Sequence, residues 1–156
     1  MRSASIQELK QELLNTPAPE LAELCLRLAK YKLENKELLT YLLFEAHDTE
    51  GFIQTIKKEV EEQFAEMNQS NLYYVKKTLR KILRHINKHI KYAGSAQVTI
   101  ELLIYFCEST KELNISVDKN PVLYNIYQNQ LKNINKALKG LHEDLQYDYL
   151  RAVKNL

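Results

Sequence analysis

Apolar side chains recur along the chain at intervals of three and four residues, the spacing of one face of an α-helix. The pattern starts with Ile6, Leu9 and Leu13 behind a Ser5–Glu8 capping box, and it resumes after Pro17. It predicts seven or eight helices and no strand. Because short connections make successive helices pack antiparallel, we expect an all-α fold of helical hairpins. These hairpins would pack as a short α-solenoid or a compact bundle in one domain, residues 1–156.

The third predicted helix, residues 36–47, is the segment that we expect at the centre of the fold. Asn35 is placed to cap it, and Leu38–Phe44 is apolar nearly all around the helix. A helix of this kind must be covered on most sides. One carboxylate, Glu45, falls on a covered side, where it needs a partner. We therefore predict a buried or semi-buried ion pair for Glu45, with an arginine as the partner (Arg27, Arg80 or Arg84), or else a position at the edge of the covered face.

The longest predicted helix, about residues 71–93, shows the clearest segregation of charge, and Gly94 suits its C-terminal cap. The acid-free window Met67–Ile100 holds seven of the 22 Lys and Arg residues, which leaves 15 of them against 20 acidic residues elsewhere. On a helical wheel six of these cations, all but Lys76, lie opposite the apolar face. We call the seven residues the basic stripe: Lys76, Lys77, Arg80, Lys81, Arg84, Lys88 and Lys91.

The basic stripe has structural and functional interpretations. It is either a solvated helix face, a face whose flanks pair with the acidic helix just before it, or a binding surface for an anionic partner. Nucleic acid is such a partner, because its phosphates repeat along the backbone. However, the chain contains no recognition motif such as a helix-turn-helix, and its net charge is only +2. We therefore expect a protein partner, acidic if it binds the stripe, with nucleic acid as the alternative.

The sequence offers few groups for catalysis or for a metal. His85 and His89 are four residues apart, so on a helix they point the same way, as two metal ligands would. No carboxylate or cysteine completes the pair by spacing, and we expect polar residues flanking the apolar face. Cys25 and Cys107 lie in apolar stretches and are expected to be buried, reduced thiols.

Known catalytic and cofactor motifs are absent from the sequence. It has no Gly-rich phosphate loop, no His-Glu-x-x-His and no Gly-x-Ser-x-Gly elbow. Glu45 has no second group beside it for acid–base work. We therefore expect a non-enzymatic scaffold or adaptor without a catalytic residue, cofactor or metal.

Residues 17–47 resemble the helical hairpins of HEAT- and armadillo-like proteins. The resemblance rests on the Pro19-Glu20-Leu21 opening of the first helix and on the apolar second helix. No second copy follows at a fixed period, so it implies stacked hairpins and no particular repeat family. The chain is also similar to uncharacterised helical proteins of bacteria, a resemblance that implies no activity.

Membrane insertion is not expected from the apolar runs of the chain. The longest of them, Leu38–Phe44, is far too short to cross a bilayer, and Met1–Lys10 has no apolar signal core. We therefore expect a cytoplasmic protein without membrane contact. The pattern leaves its oligomeric state open.

Overall fold

A computed structural model describes residues 2–113 and 115–156, and this part of the chain forms eight α-helices and no strand. A π-helical turn, Tyr41–Glu45, follows the third helix, and a 3₁₀ turn, Val117–Lys119, precedes the seventh. The all-α prediction is confirmed. None of these helices has the length and apolar character needed to span a membrane. The helices are α1 (Ile6–Asn15), α2 (Ala18–Tyr31), α3 (Leu33–Thr40), α4 (Thr49–Ala65), α5 (Leu72–Ala93), α6 (Ala96–Lys111), α7 (Pro121–Leu138) and α8 (Glu143–Val153).

The contacts within the chain divide it into two compact units, Met1–Phe44 and Glu45–Leu156. The first unit holds α1 to α3, and α2 packs against α3. The second unit holds α4 to α8 and nearly all of the buried apolar residues. The single domain predicted for residues 1–156 stays a prediction.

Helix α6 lies at the centre of the second unit, and α4, α5, α7 and α8 all pack against it. On the α4 side, the ring of Phe106 lies 5.9 Å from the ring of Phe64. Side chains on most faces of α6 are covered, and this helix contributes more buried residues to the unit than any other. Eight of its 16 residues are buried: Val98, Ile100, Leu102, Leu103, Ile104, Phe106, Cys107 and Thr110.

Side-chain caps set the ends of the helices around this core, largely as the sequence predicts. The Asn71 side chain accepts a hydrogen bond from the Tyr73 N–H at the start of α5. Gly94 ends α5 in the left-handed conformation at φ 58°, where a residue with a Cβ would be strained. Ser95 then caps α6 through the Val98 N–H. A two-residue link therefore turns the chain from α5 into α6.

The first unit buries far fewer side chains than the second. The central, covered position predicted for the helix at 36–47 is therefore wrong. Helix α3 begins at Leu33, and Asn35 donates a hydrogen bond to the Leu28 carbonyl (2.8 Å) rather than capping a helix. Among the described residues of this unit, only Tyr41 is buried. A π turn is wider than an α turn, so the wheel used for the prediction does not hold beyond Tyr41. Three predicted core residues are 56%, 62% and 66% exposed: Leu42, Leu43 and Phe44.

The two cysteines also differ. Cys107 is buried in α6, as predicted, and burial raises the pKa of its thiol to about 12. Cys25 is exposed on α2, so its predicted burial is wrong. The apolar face of α2 is left largely uncovered within the first unit, which is why a residue on that face is exposed.

Glu101 connects α6 to two neighbouring helices. Its carboxylate accepts hydrogen bonds from Lys57 Nζ of α4 (2.7 Å) and from the Tyr149 hydroxyl of α8 (2.9 Å). Burial and the hydrogen bond to this carboxylate raise the pKa of Tyr149 to about 12, so its hydroxyl stays protonated and acts as the donor at neutral pH. The Lys57 and Glu101 side chains are only 21% and 26% exposed, so water screens their ion pair weakly.

We expect Glu101→Ala to lower the free energy of unfolding by about 1–2 kcal/mol, because two partly buried donors lose their acceptor. Urea unfolding followed by circular dichroism measures this change. Glu108→Ala is the control, since Glu108 is an exposed carboxylate on the same helix. Equal unfolding midpoints for the two variants would show that Glu101 does not tie the helices together.

Candidate binding surfaces on helices α4 and α5

The apolar face of α5 determines where its charges point. Five residues of that face are buried: Val75, Leu79, Ile82, Leu83 and Ile86. With this face in the core, the opposite side of the helix must face solvent. Five cations of the basic stripe are accordingly exposed and two, Lys76 and Lys88, are partly buried. The exposed five are Lys77, Arg80, Lys81, Arg84 and Lys91.

Most cations of the basic stripe are not neutralised by the acidic helix before it. Helices α4 and α5 pack together, and an ion pair between them joins Glu59 to His85, which is not a stripe residue. Within the described part of the chain, six stripe cations have no carboxylate within 4.0 Å: Lys76, Lys77, Arg80, Lys81, Arg84 and Lys91. The interpretation that the acidic helix pairs with the stripe therefore finds no support in these six residues.

At the edge of α5 that faces α4, two histidines and a glutamate come together. His85 Nε2 donates a hydrogen bond to Glu59 Oε2 (2.8 Å), and the His85 and His89 ring centroids are 4.5 Å apart. One ligand atom from each of the three residues lies within 4.8 Å of the others. We call Glu59, His85 and His89 the His–Glu cluster.

His89 is held firmly within this cluster. Its Nδ1 donates a hydrogen bond to the His85 carbonyl (2.9 Å). The rings of Phe52 and Tyr92 lie 6.0 and 5.8 Å from its own ring. Burial lowers the pKa of His89, and the charges of His85 and Lys88 act in the same direction against the partial opposition of its hydrogen bond and of Glu59. His89 is therefore neutral at pH 7, with its proton on Nδ1.

The spacing of the sequence indicates the histidine pair but misses its third member. Glu59 lies 26 residues before His85, so only the packing of α4 on α5 brings it there. The available signal was the short link between the two amphipathic helices, because such a link makes them neighbours. With Glu59 in place, the cluster holds three groups of the kinds that bind metals.

The structure contradicts the buried ion pair predicted for Glu45. This residue ends the π turn, is exposed, and has no described cation within 4.0 Å. The prediction placed it by the α-helical wheel, and the wider turn at Tyr41–Glu45 shifts the side chains away from that placement. Glu45 is therefore part of neither the basic stripe nor the His–Glu cluster.

Comparison with known proteins gives no relative for this chain. Protein-family models, curated proteins and solved structures were searched, and none of them matches. No residue role is therefore carried over from another protein.

The lowered pKa of His89 makes stability depend on pH in a defined direction. The fold disfavours the protonated form of His89. Its contribution to the free energy of unfolding is therefore fully present above about pH 6.5, the pKa of histidine in the unfolded chain. This contribution is lost as the pH falls through the lower pKa of the folded state. We expect the free energy of unfolding to drop between pH 7.5 and about pH 5, and to drop less in His89→Gln.

Urea unfolding at both pH values measures the drop. His142→Gln is the control, because the His142 side chain is 77% exposed. If His89→Gln and the unchanged protein lose equal stability on acidification, His89 does not carry the effect.

Proposed function

We propose that this chain is a non-enzymatic helical adaptor that binds an acidic segment of a protein partner through the basic stripe of α5. The observation that carries the proposal is that most cations of the stripe have no carboxylate partner to compensate their charge. Six of its seven cations have no carboxylate within 4.0 Å among the described residues. Grouped and uncompensated cations produce a positive potential that attracts an anionic surface.

The arrangement of the stripe has a cost within the helix itself. Lys77 and Lys81 are four residues apart, as are Arg80 and Arg84. Like charges at this spacing destabilise a helix by about 0.2–0.5 kcal/mol for each pair. The first turn of α5 also lacks an acidic residue to complement the helix dipole. An acidic partner would relieve this repulsion on binding.

The shape of the surface favours a narrow partner. From Lys76 to Lys91 the stripe extends for about 22 Å along one helix. Glu59 and Glu62 share one side of α4 by their spacing with Glu66, the residue that caps its C-terminus. This acidic row meets α5 at Glu59, which contacts His85, and its charge there would repel a polyanion much wider than a helix. One acidic helix or extended segment has a suitable width.

A second candidate, single-stranded nucleic acid, is favoured by one observation. Tyr73 and Tyr74, at the start of α5, are 65% and 46% exposed. Exposed aromatic rings beside a line of cations provide a surface on which bases stack. A single strand is also narrower than a duplex and would approach the acidic row less closely.

Charge reversal tests the proposal. We expect Arg80→Glu combined with Arg84→Glu to weaken binding of a fluorescent glutamate-rich peptide at least about tenfold. The matched control is Lys132→Glu with Lys136→Glu, which makes the same charge change at the same spacing on exposed residues of α7. Fluorescence anisotropy across a salt series measures both affinities.

Equal weakening in the α5 and α7 variants would contradict the proposal, because net charge rather than the stripe would then govern binding. A labelled single-stranded DNA is titrated in parallel. If the DNA binds through Arg80 and Arg84 and the acidic peptide does not, the nucleic-acid candidate replaces the adaptor. Steep weakening with salt is expected for DNA because counterions are released.

A further inference from the structure

The His–Glu cluster has the composition of a metal site. Glu59 comes from α4, His85 and His89 come from α5, and one ligand atom of each lies within 4.8 Å of the others. We propose that these three residues bind one divalent transition-metal ion of the Zn²⁺ class and thereby link α4 to α5. This site lies outside the basic stripe and does not depend on the function proposed for it.

His89 is already arranged as a metal ligand. Because its Nδ1 donates to the His85 carbonyl (2.9 Å), the neutral ring keeps its proton on Nδ1 and presents a lone pair on Nε2. Metal-bound histidines commonly donate their second ring nitrogen to a carbonyl or carboxylate, which fixes both tautomer and orientation. Burial also keeps the ring neutral by lowering its pKa.

The other two ligands need only small movements. Four-coordinate zinc with bonds of 2.0–2.1 Å to nitrogen holds its ligand atoms about 3.3 Å apart. His85 Nε2 and Glu59 Oε2 are 2.8 Å apart, and the whole set spans no more than 4.8 Å. The Glu59 side chain is 46% exposed, so it is free to turn and to leave a path for the ion.

The ligand set selects the class of ion. Two imidazoles and one carboxylate suit Zn²⁺ and neighbouring ions such as Co²⁺ and Ni²⁺, whereas Mg²⁺ and Ca²⁺ prefer sites made only of oxygen. Three protein ligands leave at least one coordination position for water. The Lys88 charge, which acts on His89, opposes the ion, and the Glu59 carboxylate offsets it.

Metal binding at this site displaces a proton from His85. His85 Nε2 carries the proton that it donates to Glu59. When the ion bonds to Nε2, a neutral ring shifts this proton to Nδ1 with no net release, whereas a charged ring loses it to solvent and keeps the proton on Nδ1. Glu59 gives up the hydrogen bond and bonds to the ion through its freed oxygen. Affinity must therefore fall as the pH is lowered, since protons compete with the metal for imidazole nitrogen.

The test uses full-length protein without a histidine tag. Isothermal titration with Zn²⁺, and the visible absorption of bound Co²⁺, should show one ion per chain and an affinity that falls with decreasing pH. Glu59→Gln and His89→Gln should each weaken binding at least about tenfold. His47→Gln and His142→Gln are controls, because both of these histidines are exposed. Circular dichroism without metal verifies the fold of each variant.

If His89→Gln fails to fold, the Glu59→Gln variant decides alone, since it alters a half-exposed carboxylate and keeps the side chain's shape. The inference is overturned if the unchanged protein binds neither ion at one per chain, or if Glu59→Gln binds as tightly as the controls do. The Arg80→Glu and Arg84→Glu variant is titrated as well. If this variant still binds Zn²⁺, the metal site is independent of the function proposed for the stripe, whether or not the variant still binds the acidic peptide.

Discussion

Burial of α6 is the constraint on which the second unit depends. An apolar helix of 16 residues with eight of them buried has to be covered on most sides, and α4, α5, α7 and α8 provide that cover. Each covering helix turns its apolar face inward and therefore its polar face outward. The charged surfaces of α4 and α5 are a consequence of this inward packing.

Two surfaces on α5 arise in this way and have different chemistry. The side opposite the core holds the basic stripe, where six of the seven cations have no carboxylate within 4.0 Å in the described part of the chain. The edge beside α4 holds His85 and His89, where a carboxylate from the next helix is within reach. One helix thus presents a surface suited to an extended anion and, beside it, a compact group of ligands suited to a single cation.

Local signals were enough to predict much of this arrangement. The apolar periodicity and Gly94 placed α5 and its stripe almost as observed, because both act within a few residues. The central position predicted for the helix at 36–47 was wrong, since no local signal revealed the π turn at Tyr41–Glu45 and the helical wheel does not apply beyond it. The contact between Glu59 and His85 was not predicted for another reason. It depends on how two helices pack, which spacing along the chain does not encode.

The central position of α6 also determines how the second unit loses its structure. Since each of the other four helices packs against α6, all four lose part of their core contacts when α6 departs, and α6 exposes its own apolar side chains to water. Such a unit behaves as one cooperative element that melts in an all-or-none manner. The first unit has no comparable hub, with Tyr41 its one buried residue among those described, so local opening is far less costly there.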